Sequence, residues 1–161
     1  MSAPQADFFS AALSAGSILT GFCGTFLSFR IQREANYYRQ PALDFKSRRA
    51  KDVPINLSHF SSGFFLLIVA TLTATVFGFA LPLLALSGLG GIKEKIVAGG
   101  LLSALILAGG YFWIELRHYR ILSNRLLNDA REWGSQVRSL VICILLAVGA
   151  FLIVVCGLAN N

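Results

Sequence analysis

Charged residues are scarce in this chain of 161 residues. Asp, Glu, Lys and Arg make up only 14% of it, about half of the roughly 25% found in a soluble domain, so an ordinary soluble globule is excluded. Intrinsic disorder is excluded as well, because it requires low hydrophobicity, whereas 55% of these residues are hydrophobic and the mean hydropathy is +0.66. The composition therefore predicts an integral membrane protein.

Cysteine is also rare, and the usual catalytic motifs are absent. Cys23, Cys143 and Cys156 all lie in apolar runs without a CxxC pair, which indicates small packing side chains rather than redox or zinc chemistry. The sequence contains no phosphate-binding glycine loop, no HExxH and no GxSxG, the motifs that typify nucleotide-binding proteins, zinc proteases and serine hydrolases. We therefore expect a non-enzymatic protein with no cofactor and no metal.

Four apolar runs are each long enough to cross the hydrocarbon core of a membrane, which takes roughly 20 helical residues. We predict transmembrane spans at about 8–29, 63–86, 96–114 and 139–159. The predicted fold class is all-α: an integral membrane four-transmembrane-helix bundle, made of two helical hairpins with cytoplasmic helix extensions. A single four-span membrane domain is expected over residues 1–161.

Basic residues predict how the chain is threaded. Twelve of the fourteen Lys and Arg residues fall in segments 30–60 and 115–138, and the other two are Lys93 and Lys95. The positive-inside rule places both basic segments in the cytoplasm and both termini outside, in a plasma or inner membrane. We call the span ends beside these segments the inner ends. The basic loops indicate contact with anionic lipids rather than with nucleic acid.

Proline and glycine predict the outer connection between the second and third spans. Pro82 lies near the outer end of the second span, where it should kink or end the helix. Three glycines then follow, and we expect them to form a tight turn: Gly88, Gly90 and Gly91.

The first span carries the most informative pattern, a line of small or hydroxylated residues. Spacings of 4, 3, 4, 3 and 4 place them on one helix face across the whole membrane: Ser10, Ser14, Ser17, Gly21, Gly24 and Ser28. We call this line the seam. Two interpretations stay open. The seam is either a close-packing face for another helix or the lining of a water-filled path at the centre of an oligomer.

Two arginines follow the seam at its inner end. In a ring of subunits, Arg30 and Arg33 would form a basic inner mouth that concentrates anions and repels cations. The structural alternative is ordinary basic flanking of a membrane span.

The remaining spans show packing features. Shorter polar or small-residue lines on the second and third spans are interpreted as structural, and the aliphatic fourth span is expected to face lipid. These lines comprise Thr71, Thr75, Gly78 and Pro82 on the second span, and Gly99, Ser103, Ile106 and Gly110 on the third.

The leading functional hypothesis is a homo-oligomeric passive channel lined by the first helix. No carboxylate lies in the central part of a span, which argues against proton-coupled transport. The alternative is an accessory or anchor subunit that packs against other membrane proteins. A minor third hypothesis is a membrane enzyme or cofactor protein, with haem or a metal, using His59, His118 and Glu115, but Glu115 is expected to pair with a nearby arginine instead.

Overall fold

Helices account for nearly all of the described structure. The computed structural model describes residues 2–39, 52–88, 92–123 and 129–157. They form α1 (Ala3–Arg39), α2 (Asp52–Thr75), α3 (Leu81–Leu86), α4 (Glu94–Ser123) and α5 (Asp129–Leu152), with π-helical turns at Val76–Ala80 and Ile153–Gly157. No β-strand occurs within these ranges, and the predicted all-α class is confirmed.

Four helical stretches are long and apolar enough to span a membrane. They cover Ala3–Gln32, Gly63–Leu86, Glu94–Leu116 and Val137–Gly157, close to the four predicted spans. The second span is continuous through α2, the first π turn and α3. By length and composition, the chain is therefore a membrane protein.

The bundle is organised around the second span and α4, which pack against each other from Gly63 of α2 beside Glu115 to Phe77 of the first π turn beside Gly100. The helices α1 and α5 each pack against both of them and have little contact with each other. Half of the residues in the most apolar 18-residue stretch of the third span are buried. In the corresponding stretch of the fourth span, 6% of the residues are buried. The helix α5 is thus largely uncovered by the rest of this chain, and its position towards lipid stays a prediction.

Two clusters of buried side chains form the core. The larger one joins α1, α2, α4 and α5 from mid-bundle to the inner ends, and the smaller one joins α1, α3 and α4 at the outer ends. The fully buried members of the larger cluster are Cys23, Leu66, Leu67, Ala70, Leu107, Ala108, Tyr111, Ile114 and Ala147, and those of the smaller one are Phe9, Ala12, Ala85 and Val97.

The interface between α4 and α5 uses the small residues predicted to be structural on the third span. Gly110 leaves room for the side chain of Cys143. The Ser103 hydroxyl lies 2.8 Å from the carbonyl oxygen of Ala147 and 2.9 Å from that of Gly99. Because small residues let two helix backbones approach closely, this line is a packing face within the chain.

Threonines of α2 satisfy their hydroxyls within their own helix. Each donates a hydrogen bond of 2.7 or 2.8 Å to the carbonyl oxygen four residues earlier. The three are Thr71, Thr73 and Thr75. A hydroxyl at membrane depth therefore needs no partner from another helix.

The second span passes through Pro82 without ending. Proline has no N–H for the usual helical hydrogen bond and its ring clashes with the carbonyl of the preceding turn. The chain widens into the π turn Val76–Ala80 just before it, and the Leu81 N–H bonds to the carbonyl of Val76. Helix then resumes as α3 to Leu86, so the expected disturbance at Pro82 is a widened turn.

Gly88 ends the second span. Its φ of +77° lies in the left-handed region, which glycine adopts without the steric cost that a side chain brings. Its N–H bonds to the carbonyl oxygen of Ala85 at 3.1 Å. Gly90 and Gly91, predicted to share this turn, lie outside the described residues.

A backbone-to-backbone helix contact in the outer half joins α1 to the π turn. Gly16 and Gly78 meet backbone to backbone, and a Cβ atom added to Gly16 would overlap the backbone of Gly78. Gly16 does not belong to the seam, and it lies on the buried face of α1. Only glycine at this position permits the approach.

Gly16→Ala is expected to lower the free energy of unfolding by about 1–3 kcal/mol, the usual cost of overpacking a core. The matched control is Gly21→Ala on the same helix, where an added Cβ meets nothing within 4 Å. The control should leave stability unchanged or raise it by up to about 1 kcal/mol through helix propensity. Thermal unfolding in detergent, followed by circular dichroism, measures both. Equal stability of the two variants would contradict the close contact.

Candidate functional site

The seam is exposed on the surface of the single chain. Its six residues are exposed, apart from the half-buried Gly24. A Cβ atom added at Gly21 or Gly24 would meet nothing within 4 Å. The seam is therefore not used for packing within the chain.

The opposite face of α1 holds it in the bundle. Buried residues recur there at helical spacing, roughly half a turn around the helix from the seam. They are Phe9, Ala12, Gly16, Cys23 and Arg30. The first helix thus has one face committed to the fold and one face left uncovered by this chain.

Hydroxyls on the uncovered face bond to their own helix. The Ser14 hydroxyl donates to the carbonyl oxygen of Ser10 at 3.1 Å, and the hydroxyl of neighbouring Thr25 donates to that of Gly21 at 2.8 Å. Rotation of a serine side chain exchanges such a bond for one to water or to another helix. The face can therefore present hydroxyl groups without losing helical structure.

Arg30 makes a buried ion pair with Glu115. Its side chain is 2% exposed and that of Glu115 is 12% exposed, and the pair joins the inner ends of α1 and α4. Gly63 of α2 lies against it, with a position for a Cβ atom 3.4 Å from one guanidinium nitrogen and 3.6 Å from a carboxylate oxygen. Three helices thus meet at one charge pair.

This placement separates Arg30 from the seam. Arg30 and Ser28 are two residues apart in sequence but lie on opposite faces of α1. In this arrangement Arg30 is not available to a basic mouth at the end of the seam. The arginine partner expected for Glu115 is found and is Arg30. Arg33 lies in α1, and its side chain is outside the part that the structure describes.

A recess opens beside the ion pair, between α1 and α4. Its volume is about 270 Å³ and its lining is mostly aromatic. The lining residues are Phe26, Phe29, Arg30, Tyr111, Phe112, Glu115 and Leu116. The rings of Phe26 and Phe112 pack edge to face with centroids 5.1 Å apart, which is a preferred geometry for aromatic pairs. Sequence reasoning missed this recess, because its walls come from two helices far apart in sequence.

The described residues contain no group of three or more His, Cys, Asp or Glu side chains that could hold a metal ion. The side chains of His59 and His118, named in the third hypothesis, lie outside the described part. Family models, curated proteins and solved structures give no match to this chain. The features that bear on function are therefore those of the structure itself: four membrane-length helices, an uncovered face of small residues on α1 and a buried ion pair.

Arg30→Met is expected to lower the free energy of unfolding by about 3–5 kcal/mol, because it leaves the buried Glu115 carboxylate without its counter-charge. In the double variant Arg30→Met with Glu115→Gln, the free energy of unfolding should fall by less than the sum of the decreases in the two single variants. Denaturation in detergent measures the coupling free energy between the two side chains, from the stabilities of the wild type, both single variants and the double variant. Strict additivity would show that the two side chains do not depend on each other.

Proposed function

We propose that the protein is a homo-oligomeric membrane channel, in which several copies turn the seam of α1 towards a common axis and ions pass without energy coupling. The observation that supports this is the position of the seam, which is exposed in the single chain while the opposite face of α1 is buried. A pore lined by several copies requires such an uncovered, small and polar face.

The seam has the chemistry of a permeation path. Four of its six residues are serines, whose hydroxyls can replace part of an ion's hydration shell, and the two glycines leave space. Exposed Gln32 follows Ser28 by four residues and extends the polar face at the inner end. The absence of a charged residue from the seam favours passive conduction.

The proposed topology places both termini outside and the helix extensions in the cytoplasm, as two helical hairpins. Because Arg30 pairs with Glu115, the basic mouth in this proposal depends on Arg33. A preference for anions then follows from Arg33 and from the positive loops. The same loops attract anionic lipids at the cytoplasmic face.

An accessory or anchor subunit is the second candidate function. Gly21 and Gly24 leave open space on the surface of α1, as small residues do where a second helix packs closely. In that case the seam would be covered by a different protein, and it would conduct nothing.

Cysteine accessibility tests the channel. Ser17→Cys and Leu145→Cys are made in a background in which the three native cysteines are replaced by alanine. Both positions are exposed in the single chain, so any difference in reactivity reports the assembly. A charged thiol reagent should react with the cysteine at position 17 and block current, because a thiol in water ionises. The cysteine at position 145, facing lipid, should stay inert. Equal inertness at both positions would contradict the pore assignment.

Gly21→Leu separates a pore lining from a packing face. In a channel, the leucine side chain would narrow the path and should lower single-channel conductance severalfold, while the native mass of the oligomer stays the same. Gly109→Leu on α4 is the control, since Gly109 is also exposed and also has nothing within 4 Å of an added Cβ. Loss of the oligomer by Gly21→Leu alone would show that the seam is a packing face, and would favour the accessory role.

A further inference from the structure

The recess between α1 and α4 carries an inference that does not rest on the channel proposal. It lies at the inner ends of the spans: Arg30 directly follows the first apolar run, which ends at Phe29, and Glu115 directly follows the third, which ends at Ile114. Charged side chains at such positions reach the headgroup layer of a bilayer. The recess therefore lies at the depth of lipid headgroups.

Its size suits part of an amphiphile. A volume of about 270 Å³ is below the ~300–1,000 Å³ of pockets that enclose a drug-sized ligand. Phe29 and Leu116, on its rim, are 64% and 66% exposed. A ligand held in the recess therefore has an apolar exit along which acyl chains can continue into the membrane.

The charges of the recess are balanced. Arg30 and Glu115 both line it and pair with each other, so the site has no net charge that would select an anion. A guanidinium has five N–H donors and a carboxylate has about four acceptor positions, so a pair of this kind can also engage a third group. The complementary ligand carries one charge of each sign.

We propose that this recess binds the headgroup of a zwitterionic phospholipid, with the phosphate beside Arg30 and the ammonium beside Glu115. Arginine forms strong charge-assisted hydrogen bonds with phosphate. The rings of Phe26, Tyr111 and Phe112 add cation–π attraction for the ammonium group. The acyl chains leave between Phe29 and Leu116 along the surface of the bundle.

Native mass spectrometry in detergent tests the site with two lipids of identical chains, dioleoyl phosphatidylethanolamine and dioleoyl phosphatidylglycerol, in equal amounts. Because the basic loops also attract anionic lipids, the lipid of the recess is identified as the one that the wild type retains and Phe29→Ala loses. It should be phosphatidylethanolamine with about tenfold preference, the discrimination expected from one charge-assisted contact. Equal retention, or a preference for phosphatidylglycerol, would overturn the proposal.

Glu115→Gln gives the sharper test, because it keeps the shape of the side chain and removes its charge. Arg30 then loses the negative charge that Glu115 supplies in the recess, and the preference should reverse towards the anionic phosphatidylglycerol. A preference for phosphatidylethanolamine that survives Glu115→Gln would show that the carboxylate does not read the ammonium group. Circular dichroism verifies that the variant remains helical.

Phe29→Ala keeps the proposal testable if Glu115→Gln does not fold. Phe29 is exposed on the rim, so its loss should weaken retention of phosphatidylethanolamine severalfold without disturbing the core. The matched control is Phe65→Ala, an exposed phenylalanine at the inner end of the second span that does not line the recess. Equal retention by the two variants would overturn the proposal.

Soluble phosphoethanolamine, added at the lipid concentration, distinguishes a membrane lipid from a free zwitterion. It should fail to displace the bound lipid, because it lacks the chains that pack along the rim. Displacement at equal concentration would show that the recess binds a soluble zwitterion, contrary to the proposal.

Discussion

Polar groups at membrane depth must find partners within the protein, because the hydrocarbon layer offers none. This requirement shapes the described structure from the outer ends of the spans to the inner ones. The threonine hydroxyls of α2 bond to their own helix, and Ser103 reaches the backbone of α5. Arg30 and Glu115, which would be costly to bury alone, are brought together between α1 and α4.

Close packing and this requirement together fix the orientation of α1. Gly16 holds this helix against Gly78 in the outer half, and Arg30 holds it against Glu115 at the inner end. Two contacts on one face, about four turns apart, leave the helix little freedom to rotate about its axis. The seam is therefore turned outwards by interactions that do not involve any of its own residues.

The number and position of the spans could be predicted from sequence, because long apolar runs are a property of the local chain. The packing role of Gly99, Ser103 and Gly110 could also be predicted from sequence, because small residues at helical spacing form one face of a helix. The sequence did not say which helix that face would meet. The structure supplies the partner, α5.

The role of Arg30 could not be predicted from its position along the membrane alone. Because Arg30 is close to Ser28 in sequence, both were expected at the same mouth of the seam. Two residues along a helix, however, correspond to a rotation of more than half a turn. Helical spacing places Arg30 with the buried Cys23 and Gly16 rather than with the seam. The prominence of Gly16 itself depends on Gly78, a residue distant in sequence, and no pattern within the first span reveals it.

The π turn before Pro82 also sets the phase of the second span. Buried residues there recur every four positions, at Ala70, Ala74, Gly78 and Pro82. An α-helix has 3.6 residues per turn, so this spacing would drift steadily around its surface. The wider turn absorbs part of that drift and keeps Pro82 and Ala85 facing the bundle. Deletion of one residue from Val76–Ala80 would rotate α3 by about 100° relative to α2. Its buried side chains would then face away from the bundle. Packing therefore constrains the length of this short segment as well as the glycine at position 78 within it.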